Sequence, residues 1–210
     1  MSLQDELREA VADGQAKVAV AKVTQGLAEG VPAGTLLREG LIAAMAQVGE
    51  LYEQGEIYVP EMLVAAYAMT EALAVLKPEL VSEGVPTEGT VAIGTVKGDL
   101  HDIGKNLVAM MLEGAGYQIV DLGVDVRAEQ FIQAIRDGAD VAAMSALLTT
   151  TMPNMQENIA AITEAGLRDK ARIIVGGAPL TAEYAEAIGA DGFAADASSA
   201  VRLVRQLLAA

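Results

Sequence analysis

Thr90-Val91-Ala92-Ile93-Gly94-Thr95-Val96, then Lys97-Gly98-Asp99-Leu100-His101-Asp102, then Ile103-Gly104-Lys105-Asn106, reads as a β-rich run, a polar loop and the start of a helix. The same alternation continues downstream. Tyr117 to Leu122 precedes a helix from about Ala128, and Asp140 to Met144 precedes one from about Pro153. Ala171 to Val175 leads to a helix from about Leu180, and Asp191 to Ala194 to one from about Ser198. Five such units predict a parallel sheet covered by helices on both faces. The expected fold is flavodoxin-like (Rossmann-type), with strand order 2-1-3-4-5. In such sheets ligands sit beyond the carboxyl ends of the strands, near the point where strand order reverses. That rule directs attention to the loops after strands one, three and four.

Upstream of Thr90 the pattern is helical throughout. Ser2 with Asp5 three residues later resembles a helix-opening box, and Asp13-Gly14 breaks the chain before a second helix ending near Gly30-Val31-Pro32. Leu37, Leu41, Met45, Val48 and Tyr52 then recur at three- and four-residue steps, as do Met62, Ala66, Met69, Leu73, Leu76 and Leu80. Pro60 suits the first turn of the last helix. Four helices with short connections predict a small bundle. Residues 81–89 hold two glycines and a proline and read as a linker. The expected organisation is a helical domain over 1–84 and an α/β domain over 89–210.

Composition narrows the chemistry. A formal net charge of −15 over 210 residues repels phosphate backbones, and no basic stripe interleaved with aromatics is present, so nucleic acid is not an expected partner. Charged residues, glycine or proline interrupt every apolar run before the ~18 residues a spanning helix needs, so no membrane partner is expected either. The stretch Met1 to Glu9 lacks the layout of a signal or transit peptide, and the expectation is a cytoplasmic protein. With no cysteine, disulfides, zinc ribbons and thiolate-held clusters are excluded. A single histidine cannot build a His-rich metal site within one chain, so a transition metal would have to arrive with ligands of its own.

That histidine, His101, lies in the loop after the first strand, with Asp99 two residues before it and Gly104 three after. Metal-bound imidazoles commonly donate the other ring N–H to a carboxylate, and Asp99 is placed for that. Gly104, without a side chain, leaves room for something large to approach. Asp102 can equally be read as a helix cap.

Asp99-Leu100-His101-Asp102-Ile103-Gly104 resembles the D-x-H-x-x-G signature of B12-binding domains, found in methionine synthase, the mutases and the corrinoid proteins of methanol, methylamine and methoxy-aromatic methyltransferase systems. The resemblance implies that His101 is the lower axial ligand of cobalt and that Asp99 is its hydrogen-bond partner. Ser145-Ala146-Leu147 resembles the family's S-x-L segment, and Val175-Gly176-Gly177 its G-G turn. Both line the slot for the displaced nucleotide tail, and Asp196-Ala197-Ser198 resembles the segment that closes over it. By the same alignment Thr149 contacts the cofactor, and Thr151 supplies the hydroxyl that completes the relay through Asp99. The implied cofactor-binding set is therefore Gly98, Asp99, Leu100, His101, Asp102, Ile103, Gly104, Ser145, Leu147, Thr149, Thr151, Gly176, Gly177 and Ala197. No catalytic residue is implied.

Gly55-Glu56-Ile57-Tyr58-Val59-Pro60-Glu61-Met62 is similar to the helix start of the four-helix cap in methyl-transferring members, with Tyr58 and Met62 as candidate contacts to the upper face. The implied cofactor is a corrinoid (cobalamin or methylcobalamin) carrying cobalt, and the implied role is a methyl shuttle, not an enzyme on its own. Implied partners are a substrate-specific corrinoid methyltransferase, a methylcorrinoid:tetrahydrofolate (or similar) methyltransferase and a reductive activator, with a hinge near residues 82–89. A B12-dependent sensor is the alternative reading. It would call for a helix-turn-helix module and a basic surface, and neither is visible. A mutase small subunit fits less well, because a radical site needs a substrate barrel where this chain has a cap.

Overall fold

Ser2 and Asp5 cap one another, the Asp5 N–H donating to Ser2 Oγ at 3.1 Å and the Ser2 N–H to Asp5 Oδ2 at 2.9 Å. This box opens α1 (Leu3–Ala12), which is followed by α2 (Ala16–Ala28). The third helix, α3, is built of three consecutive pieces: Ala33–Thr35, a π-helical run Leu36–Ile42, and Ala43–Glu53. The periodicity predicts a regular helix here. The structure instead widens this stretch to i→i+5 turns, with Leu36, Leu37, Gly40 and Leu41 buried. The fourth helix, α4 (Val59–Ser82), starts with Tyr58 N–H donating to Glu61 Oε2 at 3.0 Å and carries Pro60 in its first turn.

Met62, Ala66, Met69, Leu73, Leu76 and Leu80, the residues that the helical spacing of α4 selects, are all buried. α4 packs on α1, α2 and α3. By length and composition α4 could cross a membrane, alone among the described residues. The expectation that charge and proline break up every apolar stretch holds for uninterrupted runs but not for this helix taken whole. Its buried face packs with Leu7 and Val11 of α1, Val23 of α2 and Leu41 of α3 in the core of a helical bundle.

A computed structural model describes residues 2–209, so the expected domain limits at Met1 and Ala210 lie outside the described residues. The chain divides into two compact units: one runs to Thr87 and includes Glu113–Gly116, and the other comprises Glu88–Leu112 and the chain from Tyr117.

The second unit alternates strands and helices: β1 (Thr90–Val96), α5 (Ile103–Gly114), β2 (Gln118–Val126), α6 (Ala128–Arg136), β3 (Val141–Ser145), α7 (Pro153–Glu164), β4 (Arg172–Gly176), α8 (Ala182–Ala187), β5 (Gly192–Ala194) and α9 (Ala197–Leu208). All pairings are parallel, in the order β2-β1-β3-β4-β5 that the alternation predicts. Ala142, Met144, Ile173 and Val175 pack from one face of the sheet against Phe131, Ile135, Met155, Ile159 and Ile162 of α6 and α7. Val141, Ala143 and Ile174, of opposite parity, are buried too, so both faces are covered and the strands read as continuous apolar runs.

Two features set the carboxyl edge. Thr95, Ser145, Gly176 and Ala194 form one row across β1, β3, β4 and β5. β2 runs on to Val126, past the expected end at Leu122, because two bulges each insert a residue opposite β1. Bulges of this kind re-aim strand ends beside functional loops.

Candidate functional site

β1 delivers its loop through a turn in which the Asp99 N–H donates to the Val96 carbonyl at 3.1 Å and Gly98 takes φ +79°. The third turn position of this type needs a positive φ, which glycine supplies without strain. The hydroxyl of Thr95, buried at the strand end, donates to the His101 carbonyl at 2.9 Å and fixes the far side of the loop.

Asp99 has no exposed surface. Its Oδ1 accepts from the His101 N–H at 3.1 Å and contacts His101 Nδ1 at 2.7 Å. Oδ2 accepts from the Leu147 N–H at 2.9 Å, the Leu148 N–H at 3.1 Å and the Thr151 hydroxyl at 2.7 Å. Burial alone pushes the carboxyl's pKa up. The hydrogen bonds from His101, from the Thr151 hydroxyl and from the Leu147 N–H outweigh it and hold the group below the ordinary carboxylate range. The resulting anion can only accept, so the Nδ1 facing it carries the proton and the lone pair sits on Nε2. The His101 side chain is 51% exposed.

The segments tied to the imidazole carry exposed apolar side chains. Leu100, Ile103, Leu147 and Leu148 are all exposed, Ile103 at 86%, although each belongs to a segment tied to Asp99 or His101. Nothing lies within 4 Å of where a Cβ on Gly104 would stand. Exposed apolar side chains on segments that also carry a fixed polar group are the signature of a ligand surface. Among the described residues no group of three or more His, Asp or Glu could hold a metal ion. This donor set, a single imidazole nitrogen, fits a metal whose remaining ligands come with it and does not fit a bare ion.

The sequence-predicted residues fall around this centre to different degrees. Gly98, Asp99, Leu100, His101, Leu147 and Thr151 lie in the two loops that Asp99 joins, and Ile103 and Gly104 open α5 directly after the first of them. Asp102 precedes α5, where its carbonyl accepts from the Asn106 N–H and its carboxylate from the Asn106 side chain, in keeping with a capping position. Ser145 and Gly176 stand side by side on the sheet-edge row, and Thr149 is exposed in the loop after β3. A Cβ on Gly177 would lie 1.9 Å from the Ala146 carbonyl oxygen, at φ +133°, so the approach of the β3 and β4 loops requires glycine there. Ala197 is buried in the first turn of α9. In the helical unit, Met62 is fully buried in the bundle and Tyr58 is exposed.

Other residues of the site carry no sequence signal of their own. Lys105, buried on α5, holds both oxygens of Asp121 on β2 at 2.6 Å. Burial raises the Asp121 pKa, but Lys105 and the Gly123 N–H more than offset it and leave it lowered. Asp125 contacts the β1 loop, and Asn154 Nδ2 donates to the Lys97 carbonyl at 3.0 Å. Asp121 and Asp125 lie on β2, whose end the switch-point rule does not select, although β2 is the direct neighbour of β1.

Comparison with known proteins agrees with this chemistry. Two family models described as B12 binding domains match the chain, one over residues 89–204 and the other over residues 3–77. The chain belongs to the B12-binding corrinoid proteins. It is 39% identical to a corrinoid protein of Desulfitobacterium hafniense, over 99% of this chain and 98% of the relative. It is 41% identical to a trimethylamine corrinoid protein of Methanosarcina barkeri, over 96% of this chain and 94% of the relative. Among solved structures it is similar to a chain of the methanol:cobalamin methyltransferase complex MtaBC of Methanosarcina barkeri. That match has a TM-score of 0.88 and 28% identity, and it covers 99% of this chain and 80% of the other. The cofactor of this chain is accordingly a corrinoid, and its relatives are corrinoid subunits of methyltransferase systems.

Proposed function

We propose that this chain is the methyl-carrying subunit of a multi-component methyltransferase system, holding its corrinoid through His101 as the lower axial ligand of cobalt. The observation that carries the reading is the 2.7 Å contact between His101 Nδ1 and the fully buried, fivefold hydrogen-bonded Asp99. A carboxylate so held fixes the tautomer and the ring plane, and leaves Nε2 as the free donor. When bound, the corrinoid supplies a nucleophilic cobalt(I) centre that can take up a methyl group and release it to an acceptor. Leu100, Ile103, Leu147 and Leu148 exclude water from the lower side. Gly98, Asp102 and Gly104 shape the His101 loop, and Ser145, Thr149, Gly176, Gly177 and Ala197 line the slot for the nucleotide tail.

On this reading the chain does not activate a methyl donor itself. It works with a substrate-specific methyltransferase, with a second methyltransferase acting on tetrahydrofolate or a related acceptor, and with a reductive activator. The trimethylamine and methanol systems of its relatives point to a small methylated donor chosen by the partner enzyme. Residues 1–84 and 89–210 act as its cap module and corrinoid module.

The test is reconstitution with methylcobalamin and with adenosylcobalamin, followed by absorption spectroscopy of the wild type and of His101→Ala. The wild type should give a histidine-ligated spectrum that the variant lacks. A variant spectrum indistinguishable from the wild type would refute the assignment.

A further inference from the structure

Asp125 has φ 54° and is the single non-glycine residue with positive φ among the described residues. It sits in the second bulge of β2, between Gly123, which pairs with Gly94, and Val126, which pairs with Val96. Aspartate tolerates this left-handed conformation better than most residues, yet the conformation persists only where the surroundings enforce it. Two hydrogen bonds do so here. Asp125 Oδ1 accepts from the Gly98 N–H at 2.7 Å, and the Asp125 N–H donates to the Asp99 carbonyl at 3.1 Å.

These bonds grip both ends of the Gly98-Asp99 segment from the β2 side. The Asp99 side chain is meanwhile gripped from the β3 side by Leu147, Leu148 and Thr151. Asp99 therefore lies between two clamps on the two neighbours of β1, and its Oδ1 aims the His101 ring. The β3 clamp alone fixes Oδ2. Rotation of the carboxylate about that anchor, and with it the direction of the imidazole, is limited by where the Asp99 backbone lies.

We propose that Asp125 is a positioning residue for the axial histidine: its bulge conformation and its carboxylate set the Asp99 backbone and so the direction of His101 Nε2. The proposal rests on the reading that His101 ligates cobalt. It requires no contact between Asp125 and the corrinoid.

The test compares Asp125→Ala, Asp125→Gly and Asp125→Asn with the wild type and with His101→Ala. Because His101 is the only histidine, its downfield Nδ1–H proton signal identifies itself in the apoprotein. Labelled with 15N-histidine, loaded and reduced to cobalt(II), the protein reports an axial imidazole as a doublet in its paramagnetic resonance spectrum, distinct from the triplet that the corrinoid's own 14N base would give. Asp125→Ala and Asp125→Gly should broaden the proton signal, diminish the nitrogen splitting and weaken corrinoid binding about tenfold, as loss of an outer partner of a metal ligand does. Asp125→Asn, which keeps an acceptor oxygen and tolerates the left-handed region, should restore all three.

Asp125→Gly separates positioning from stability. Glycine relieves the positive φ, so this variant should resist urea at least as well as Asp125→Ala while sharing its loss of ligation. Wild-type splitting and affinity in both Asp125→Ala and Asp125→Gly would overturn the proposal. Absence of the 15N doublet from the wild type would overturn the axial-ligand reading instead.

Discussion

A carboxylate with no surface in water survives as an anion only if donors surround it, and at Asp99 they come from three directions: its own loop, the backbone after β3 and the Thr151 hydroxyl. Asp99→Asn is nearly isosteric but replaces one acceptor oxygen by a donor. The amide should turn its oxygen toward Leu147, Leu148 and Thr151 and its NH2 toward His101 Nδ1. That choice puts the imidazole proton on Nε2 and closes the cobalt position. Corrinoid bound to this variant should show no splitting from a 15N-labelled histidine. Stability should also fall, by about 2 kcal/mol at pH 7, because donors lose a charged partner. Since the folded-state pKa of Asp99 is depressed, its contribution is present above the unfolded carboxylate pKa of about 3.9 and is lost as pH falls through the lower folded value. Urea denaturation at a series of pH values should therefore show the two proteins diverging above about pH 4 and converging in acid. An unchanging gap across that range would contradict the assignment of this carboxylate as the stabilising anion. Asp99 and His101 are legible from sequence because their spacing follows from the chemistry of an oriented imidazole, whereas Thr151 is reached only through the resemblance to B12-binding domains. Asp125 is not, since nothing local marks an aspartate for a left-handed bulge.

Elements were legible wherever burial imposes a period. The six apolar positions of α4 and the strand order of the sheet follow from spacing and from the strand–helix alternation. β2 was less so. Its bulges disrupt the alternation of side chains, and Gly123 and Asp125 look like loop residues although they lie inside the strand. The same region hides the ion pair of Lys105 with Asp121, which ties α5 to β2. The pair is asymmetric, with the lysine side chain 2% exposed and the aspartate 46%. Removing the aspartate strands a buried ammonium, whereas removing the lysine leaves a carboxylate that water and the Gly123 N–H can still satisfy. Asp121→Ala should thus destabilise by about 3 kcal/mol, and Lys105→Met by less than about 1 kcal/mol. Urea midpoints of the two variants test this. Equal losses would mean that the pair acts through its attraction and not through the burial of one partner.

At the scale of the whole molecule, the linker is where the chain first passes between the two units, and its parts are not equivalent. Glu83 Oε1 accepts from the Ala33 N–H at 3.0 Å, the Val85 N–H donates to the Leu80 carbonyl, and the Val85 side chain lies 3.4 Å from where a Cβ on Gly34 would stand. These contacts hold the chain to the helical unit through Val85. At the other end, the Thr90 N–H donates to Asp140 and the Gly89 carbonyl accepts from the Gln118 N–H, so order resumes with β1. Pro86, Thr87 and Glu88 are exposed between these anchors, and among the described residues Thr87 and Glu88 take part in no backbone hydrogen bond. Proteolysis in native conditions selects exposed backbone that can leave its hydrogen bonds without unfolding a core. Brief digestion of the intact protein with a glutamyl-specific protease should therefore cut after Glu88 well before Glu83, only five residues away. Both fragments should then resist further digestion, because each retains its own buried cluster. Mass spectrometry of the first products decides the matter. Early cleavage at Glu83, or within 89–210, would place the division of this corrinoid protein elsewhere than the contacts around the linker require.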